Sequence, residues 1–290
     1  MNTLRELARK LLHDGTVQVV IGYEEGSRGP RPAFVTDPAG AERLIFDARC
    51  VQNLAAYLNP RREHLRRLGK PAVVVKGCDA RAVAGLIRES QLRREDLVVI
   101  AVRCGGVVRD PRLAGELTAE TVSDRCSGCE VREPRLYDHL LGELPPAPPA
   151  THRREEKLAQ LDRMSADERR AFWDGELARC IRCHACRAVC PMCFCVECMA
   201  DKSQPQWIDS SPTLRGNRAW QTMRVLHQAG RCVDCLECER ACPAGIPLGL
   251  LGRHVARSVE RRFAYRVSDD PAVPAPMGSY RTEDGEEFIQ

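Results

Sequence analysis

The chain has 290 residues, 43% hydrophobic and 29% charged, and its 44 basic against 40 acidic residues leave a formal charge of only +4. Length and composition describe a globular protein of about two domains. The small charge, with no basic stripe interleaved with stacking aromatics, gives no support for a nucleic-acid partner. The longest apolar runs, Ala72 to Val75 and Leu97 to Val102, are far too short to cross a bilayer.

The chain opens on an amphipathic helix over Met1 to Gly15, with Leu4, Leu7, Ala8 and Leu11 on one side, and not on a secretory signal. A cytoplasmic location is therefore expected. In that reducing compartment 16 cysteines imply metal ligation or redox chemistry rather than disulfides. Val17 to Gly22 and Pro32 to Thr36 read as strands, and Cys50 to Leu58 as a helix. The clearest unit follows: a buried strand from Ala72 to Lys76, a helix from Asp79 to Glu89, and a second buried strand from Leu97 to Val102. Such a unit makes a right-handed crossover between parallel strands, so both strands end on one edge of the sheet. Cys78 and Cys104 follow those strands and lie at the edge where open α/β sheets place their ligands. Cys126 and Cys129, in a nearby loop, complete a candidate third set of four, with Cys50 as a competitor and with a small zinc site or inert thiols as the alternatives.

Residues 1–143 thus form an α/β domain with a mostly parallel sheet. Residues 144–164 read as a linker, stiffened by prolines at 145, 146, 148 and 149 and then charged, the charged stretch from His152 to about Arg163 being a solvated helix or extended connector. Ser165 and Glu168 spell a capping box that starts a helix running towards Cys180. Another helix spans about Asn217 to Ala229, with Trp220, Met223 and Leu226 as its core side, and a third covers Pro247 to Arg262. Residues 165–262 are therefore a mainly helical domain, and 263–290 a Pro-rich, late-acidic tail that orders only against a partner.

Within the helical domain, Cys180, Cys183, Cys186 and Cys190-Pro191 repeat as Cys232, Cys235, Cys238 and Cys242-Pro243. Three thiolates at this spacing supply three ligands from one short segment. In proteins carrying two 4Fe-4S cubanes the fourth cysteine crosses to the other cluster. The expected sets are Cys180, Cys183, Cys186 and Cys242 for one cluster, and Cys232, Cys235, Cys238 and Cys190 for the other. Zinc prefers two separated pairs per ion, and the Cys-x-x-Cys-His stretch at Cys180 to His184, which matches a c-type haem attachment site, leaves the second copy unexplained. Cys193, Cys195 and Cys198, unusually close together, leave three roles open, shielding a cluster, binding a further metal or serving as accessory thiols, of which the last is preferred.

Val17 to Gly22, Arg31-Pro-Ala-Phe-Val-Thr36, Pro71-Ala-Val-Val-Val-Lys-Gly-Cys-Asp-Ala-Arg81, Val99-Ile-Ala-Val-Arg-Cys104, Cys126 to Glu130 and Tyr137-Asp138 resemble the beta-subunit family of deazaflavin (coenzyme F-420) hydrogenases and dehydrogenases, formate dehydrogenase beta chains included. The cysteine-rich half is similar to the helical two-cluster ferredoxin domain of heterodisulfide reductase and succinate dehydrogenase subunits. The resemblance implies an iron-sulfur electron-transfer subunit of an anaerobic oxidoreductase. Its expected partners are a catalytic redox subunit, of the formate dehydrogenase, hydrogenase or heterodisulfide reductase kind, and a flavoprotein or ferredoxin-type partner. The alternative is a flavin-dependent beta subunit that itself reduces a deazaflavin or nicotinamide. Flavin-binding members carry a Ser-Gly-Gly stretch just before the first helix, and this sequence begins after that point. It also lacks Gly-x-Gly-x-x-Gly, and both features count against bound FAD.

Overall fold

β-Branched runs that are apolar on both faces can only sit inside a sheet covered on both sides, and such runs set the architecture of the first half. A computed structural model describes residues 2–279, 282 and 283. Helix α1 (Asn2–His13) buries Leu4, Ala8 and Leu11, the face its 3.6-residue period selects. Then come β1 (Val19–Glu24), β2 (Arg31–Val35), β3 (Leu44–Ile45), the single-turn α2 (Glu63–Arg66), β4 (Pro71–Val75), α3 (Gly77–Arg88), β5 (Val98–Val102) and β6 (His139–Leu141). The sheet order is β2-β1-β4-β5-β6, with β3 also on β1. The β1–β4, β4–β5 and β5–β6 pairs are parallel, while β2 and β3 are antiparallel to β1. Val73, Val74, Val75, Val99 and Ile100 are fully buried at its centre.

The helix expected over Cys50 to Leu58 is instead a short 3-10 turn, Leu54–Tyr57. Asn53 starts the turn by accepting from Ala55 N at 3.1 Å, and Cys50 lies before it, packed into the sheet core.

The second half contains α4 (Arg153–Arg163), α5 (Ala166–Ala178), α6 (Ala185–Ala188), α7 (Leu214–His227), α8 (Glu237–Arg240) and α9 (Leu248–Phe263). Helix α4 is not the solvated connector its charges suggest: Leu158 and Leu161 are buried against Leu250 of α9. The Ser165 capping box forms as expected, with Ser165 Oγ accepting from Glu168 N at 3.2 Å and Glu168 Oε2 from Ser165 N at 2.8 Å. Helix α7 differs in its face. Trp220 is buried but Leu226 is 53% exposed. The inward stripe is Asn217, Gln221, Arg224 and Gln228, so polar residues occupy the side where apolar periodicity was sought.

The two halves share a core, because Met192, Val233 and Cys235 pack into the cluster of buried side chains around the sheet. Asn59, fully buried, donates to Pro191 O at 3.1 Å and Cys193 O at 3.2 Å, and Arg61 donates to Arg187 O at 3.0 Å. The start of the tail packs on this chain. Tyr265, Asp269 and Ala275 are buried, Arg88 bonds Tyr265 Oη (3.2 Å) and Asp270 O (2.8 Å), and Arg135 N bonds Asp269 Oδ2 (2.8 Å). The late acidic run of the tail lies mostly outside the described residues.

Candidate metal centres

Each cysteine run folds into the same backbone. Arg182 and His184 flank Cys183 with φ of 59° each, and Asp234 and Leu236 flank Cys235 with φ of 58° and 55°. Each run then enters a single helical turn, α6 or α8, and closes on a Cys-Pro step. None of these four residues is glycine, so every left-handed position is unfavourable by itself. Alternating right- and left-handed residues turn successive N–H groups towards one side, a concave anion-binding surface found at Fe–S sites.

The two runs pack α6 on α8, and this brings the crossed sets together. Cys180, Cys183, Cys186 and Cys242 line one small cavity. Cys190, Cys232, Cys235 and Cys238 line another. Among the described residues no three or more His, Cys, Asp or Glu side chains are gathered to hold a single ion. A cubane asks for a different arrangement: each thiolate binds its own iron at its own corner, so four sulfurs surround a volume and do not converge on a point.

The polar stripe of α7 faces these sulfurs. Asn217 donates to Cys180 O at 2.8 Å, and Gln221 Nε2 lies 3.9 Å from Cys180 Sγ and 4.0 Å from Cys186 Sγ. Arg224 donates to Cys186 O at 3.2 Å, and Gln228 Nε2 to Cys193 Sγ at 3.4 Å. Sequence reading assigned α7 to core packing and missed this role; the signal was polar residues at 217, 221, 224 and 228, a helical period written in amides and an arginine. Cys193 itself hydrogen-bonds Cys190, which pulls Cys190 down to about 6 while Cys193 moves up. Cys193, Cys195 and Cys198 line a further pocket with His227, next to the second quartet.

At the carboxyl edge of the sheet a cavity of about 460 Å³ is lined by Cys78, Cys104, Cys126 and Cys129, and also by Cys232 of the second run. Cys78 enters α3 directly after β4, and Cys104 follows β5. The loop carrying Cys126 and Cys129 is pinned there: Cys104 N donates to Arg132 O at 2.8 Å, and Val131 O passes so close to Gly77 that an added Cβ would lie 1.6 Å from it. Cys104 Sγ accepts from Gly106 N at 3.4 Å, and Cys126 Sγ from Val107 N at 3.3 Å. Cys50 does not line this cavity.

Burial pushes the thiols up: Cys104 to about 11, Cys232 and Cys238 to about 12, and Cys78 further. Such thiols keep their protons until a metal displaces them, so loading releases protons. Buried cations stand ready for the resulting negative charge. Lys76 donates to Asp79 Oδ2 at 2.9 Å and Tyr23 Oη at 2.7 Å beside Cys78, and Arg125 and Arg224 are almost fully enclosed.

Fold and site together define an iron-sulfur protein: residues 176–246 match the 4Fe-4S dicluster domain. The relatives are more particular. Over 111 residues the chain is 32% identical to the F420-dependent formate dehydrogenase subunit beta of Methanocaldococcus jannaschii, a stretch covering 38% of this chain and 27% of that relative. It is also 23% identical to the F420-dependent formate dehydrogenase 1 subunit beta of Methanococcus maripaludis, over 96% of this chain and 93% of that relative. The chain is thus similar to formate dehydrogenase beta subunits, and its second half carries the dicluster domain. Among the described residues no helix is long and apolar enough to cross a membrane.

Proposed function

We propose that this chain is the electron-transfer subunit of an oxidoreductase complex. Cys180, Cys183, Cys186 and Cys242 would hold one 4Fe-4S cluster, Cys190, Cys232, Cys235 and Cys238 a second, and Cys78, Cys104, Cys126 and Cys129 a third. When bound, such clusters exchange single electrons with little structural change. The observation carrying this reading is that each crossed quartet lines its own cavity, while Cys232 reaches both the second quartet's cavity and that of the third site. The protein supplies the rest: concave backbone and amide donors towards sulfur, buried cations against the added charge, and apolar packing that excludes water. The partners are a catalytic subunit, by analogy with the formate dehydrogenase relatives, and a flavoprotein or ferredoxin-type acceptor. A cytoplasmic site belongs to the same reading, in which the cysteines serve as ligands and not in disulfides.

Anaerobically reconstituted protein should carry about twelve irons per chain with matching labile sulfide, or about eight if only the paired runs load. Iron near zero ends the reading. Direct flavin chemistry is the second reading, favoured by a cavity within the usual size range for small ligands. The N-terminus of α3, where a phosphate would be expected, does not fit one. Val131 O closes on Gly77, and Asp79 already takes the Lys76 N–H at 3.3 Å. Flavin extracted from the same preparation should be near zero; one flavin per chain would restore the second reading.

A further inference from the structure

Two buried arginines stand in the gaps between successive cysteine quartets. Arg224, 7% exposed on the inward stripe of α7, donates to Cys186 O at 3.2 Å on one side. On its other side it lines the cavity of Cys190, Cys232, Cys235 and Cys238. Cys186 belongs to the first quartet, Cys190 and Cys238 to the second. Arg125 directly precedes Cys126 of the third site and faces Cys78, while its guanidinium donates to the carbonyl oxygens of Cys235 and Val51. It therefore links the third site to the second quartet.

Among the described residues Arg224 has no carboxylate partner, and Arg125 has only a shared one. The carboxylate beside Arg125, Glu237 at 3.6 Å, is held more closely by Arg240 at 2.6 Å. A buried guanidinium without full compensation is costly, and both arginines line cavities rich in cysteine, Arg125 that of Cys78, Cys104, Cys126 and Cys129, and Arg224 that of the second quartet.

We infer that Arg224 and Arg125 are shared counter-cations, each fixed between two neighbouring clusters, that raise the reduction potentials of both neighbours together. The inference rests on the relay reading above. Adding an electron adds one negative charge, which a fixed cation in a low-dielectric setting favours. One guanidinium touching ligands of two centres favours reduction of either, which keeps adjacent potentials in step. These are positioning residues, acting on potential and not on ligation.

The test is an EPR-monitored redox titration of the reconstituted full chain, with iron counted for every variant. Arg224→Gln should move two centres to more negative potential, each showing at least a tenfold fall in reduced-to-oxidised ratio at fixed potential, 59 mV for one electron. Arg125→Gln should also move two centres, one of them shared with the Arg224→Gln pair, and leave the remaining one in place. The Lys variants, which keep the charge, should lie nearer the wild type and give the reading if a Gln variant loses iron. Unmoved potentials at full iron content, or a shift confined to one centre, overturn the inference while leaving the relay intact. A wild-type chain that takes up no iron overturns the relay itself.

Discussion

Cys50 and Cys78 separate two uses of a buried thiol. Both are withdrawn from water, but Cys50 packs into the sheet core and is pushed to about 12, whereas Cys78 opens onto the cavity shared with Cys104, Cys126 and Cys129. Cys78→Ala should lower the iron content by about four per chain, and Cys50→Ala should leave it unchanged, both measured against total protein. The paired runs were legible residue by residue, because the spacing of thiolates and the Cys-Pro step state their chemistry directly. Choosing Cys78 over Cys50 needed the fold as well as spacing. The stripe of Asn217, Gln221, Arg224 and Gln228 was not legible, because apolar periodicity finds a helix's buried side only when that side is apolar.

Gly77 carries the corresponding argument for elements. It opens α3 just after β4 and lets the loop through Val131 cross the helix start, where an added Cβ would meet Val131 O at 1.6 Å. Gly77→Ala should destabilise the protein by about 3 kcal/mol, at the upper end of overpacking effects, in a urea titration. Displacement of the Cys126 to Cys129 loop should also remove third-site iron and spare the iron of the paired runs. The β4-α3-β5 crossover was legible because parallel strands announce themselves as unbroken apolar runs. The stretch from Cys50 to Leu58 misled because its apolar residues serve a 3-10 turn and the sheet core, and Asn53 ends any continuous helix.

Across the whole molecule the halves are less separate than the Pro-rich stretch at 144–150 suggests. Asn59 ties the α/β half to the step between Cys190 and Cys193, with both acceptors buried or nearly so. Asn59→Ala should lower stability by about 2 kcal/mol, since two carbonyls lose a donor, visible as a lower urea midpoint at unchanged iron content. Long-range contacts such as this, or the return of Tyr265 and Asp269 onto the first half, leave no local trace in composition, and proline density alone reads as separation.

The four left-handed residues flanking Cys183 and Cys235 have one more consequence. Each is disfavoured by about 1 kcal/mol or more when nothing holds it, so a newly made chain has little reason to settle into these turns before inorganic iron and sulfide arrive. A protease should therefore cut between Cys180 and Cys242 sooner in chain kept free of iron than in reconstituted chain, and equal rates would show that packing alone holds these turns.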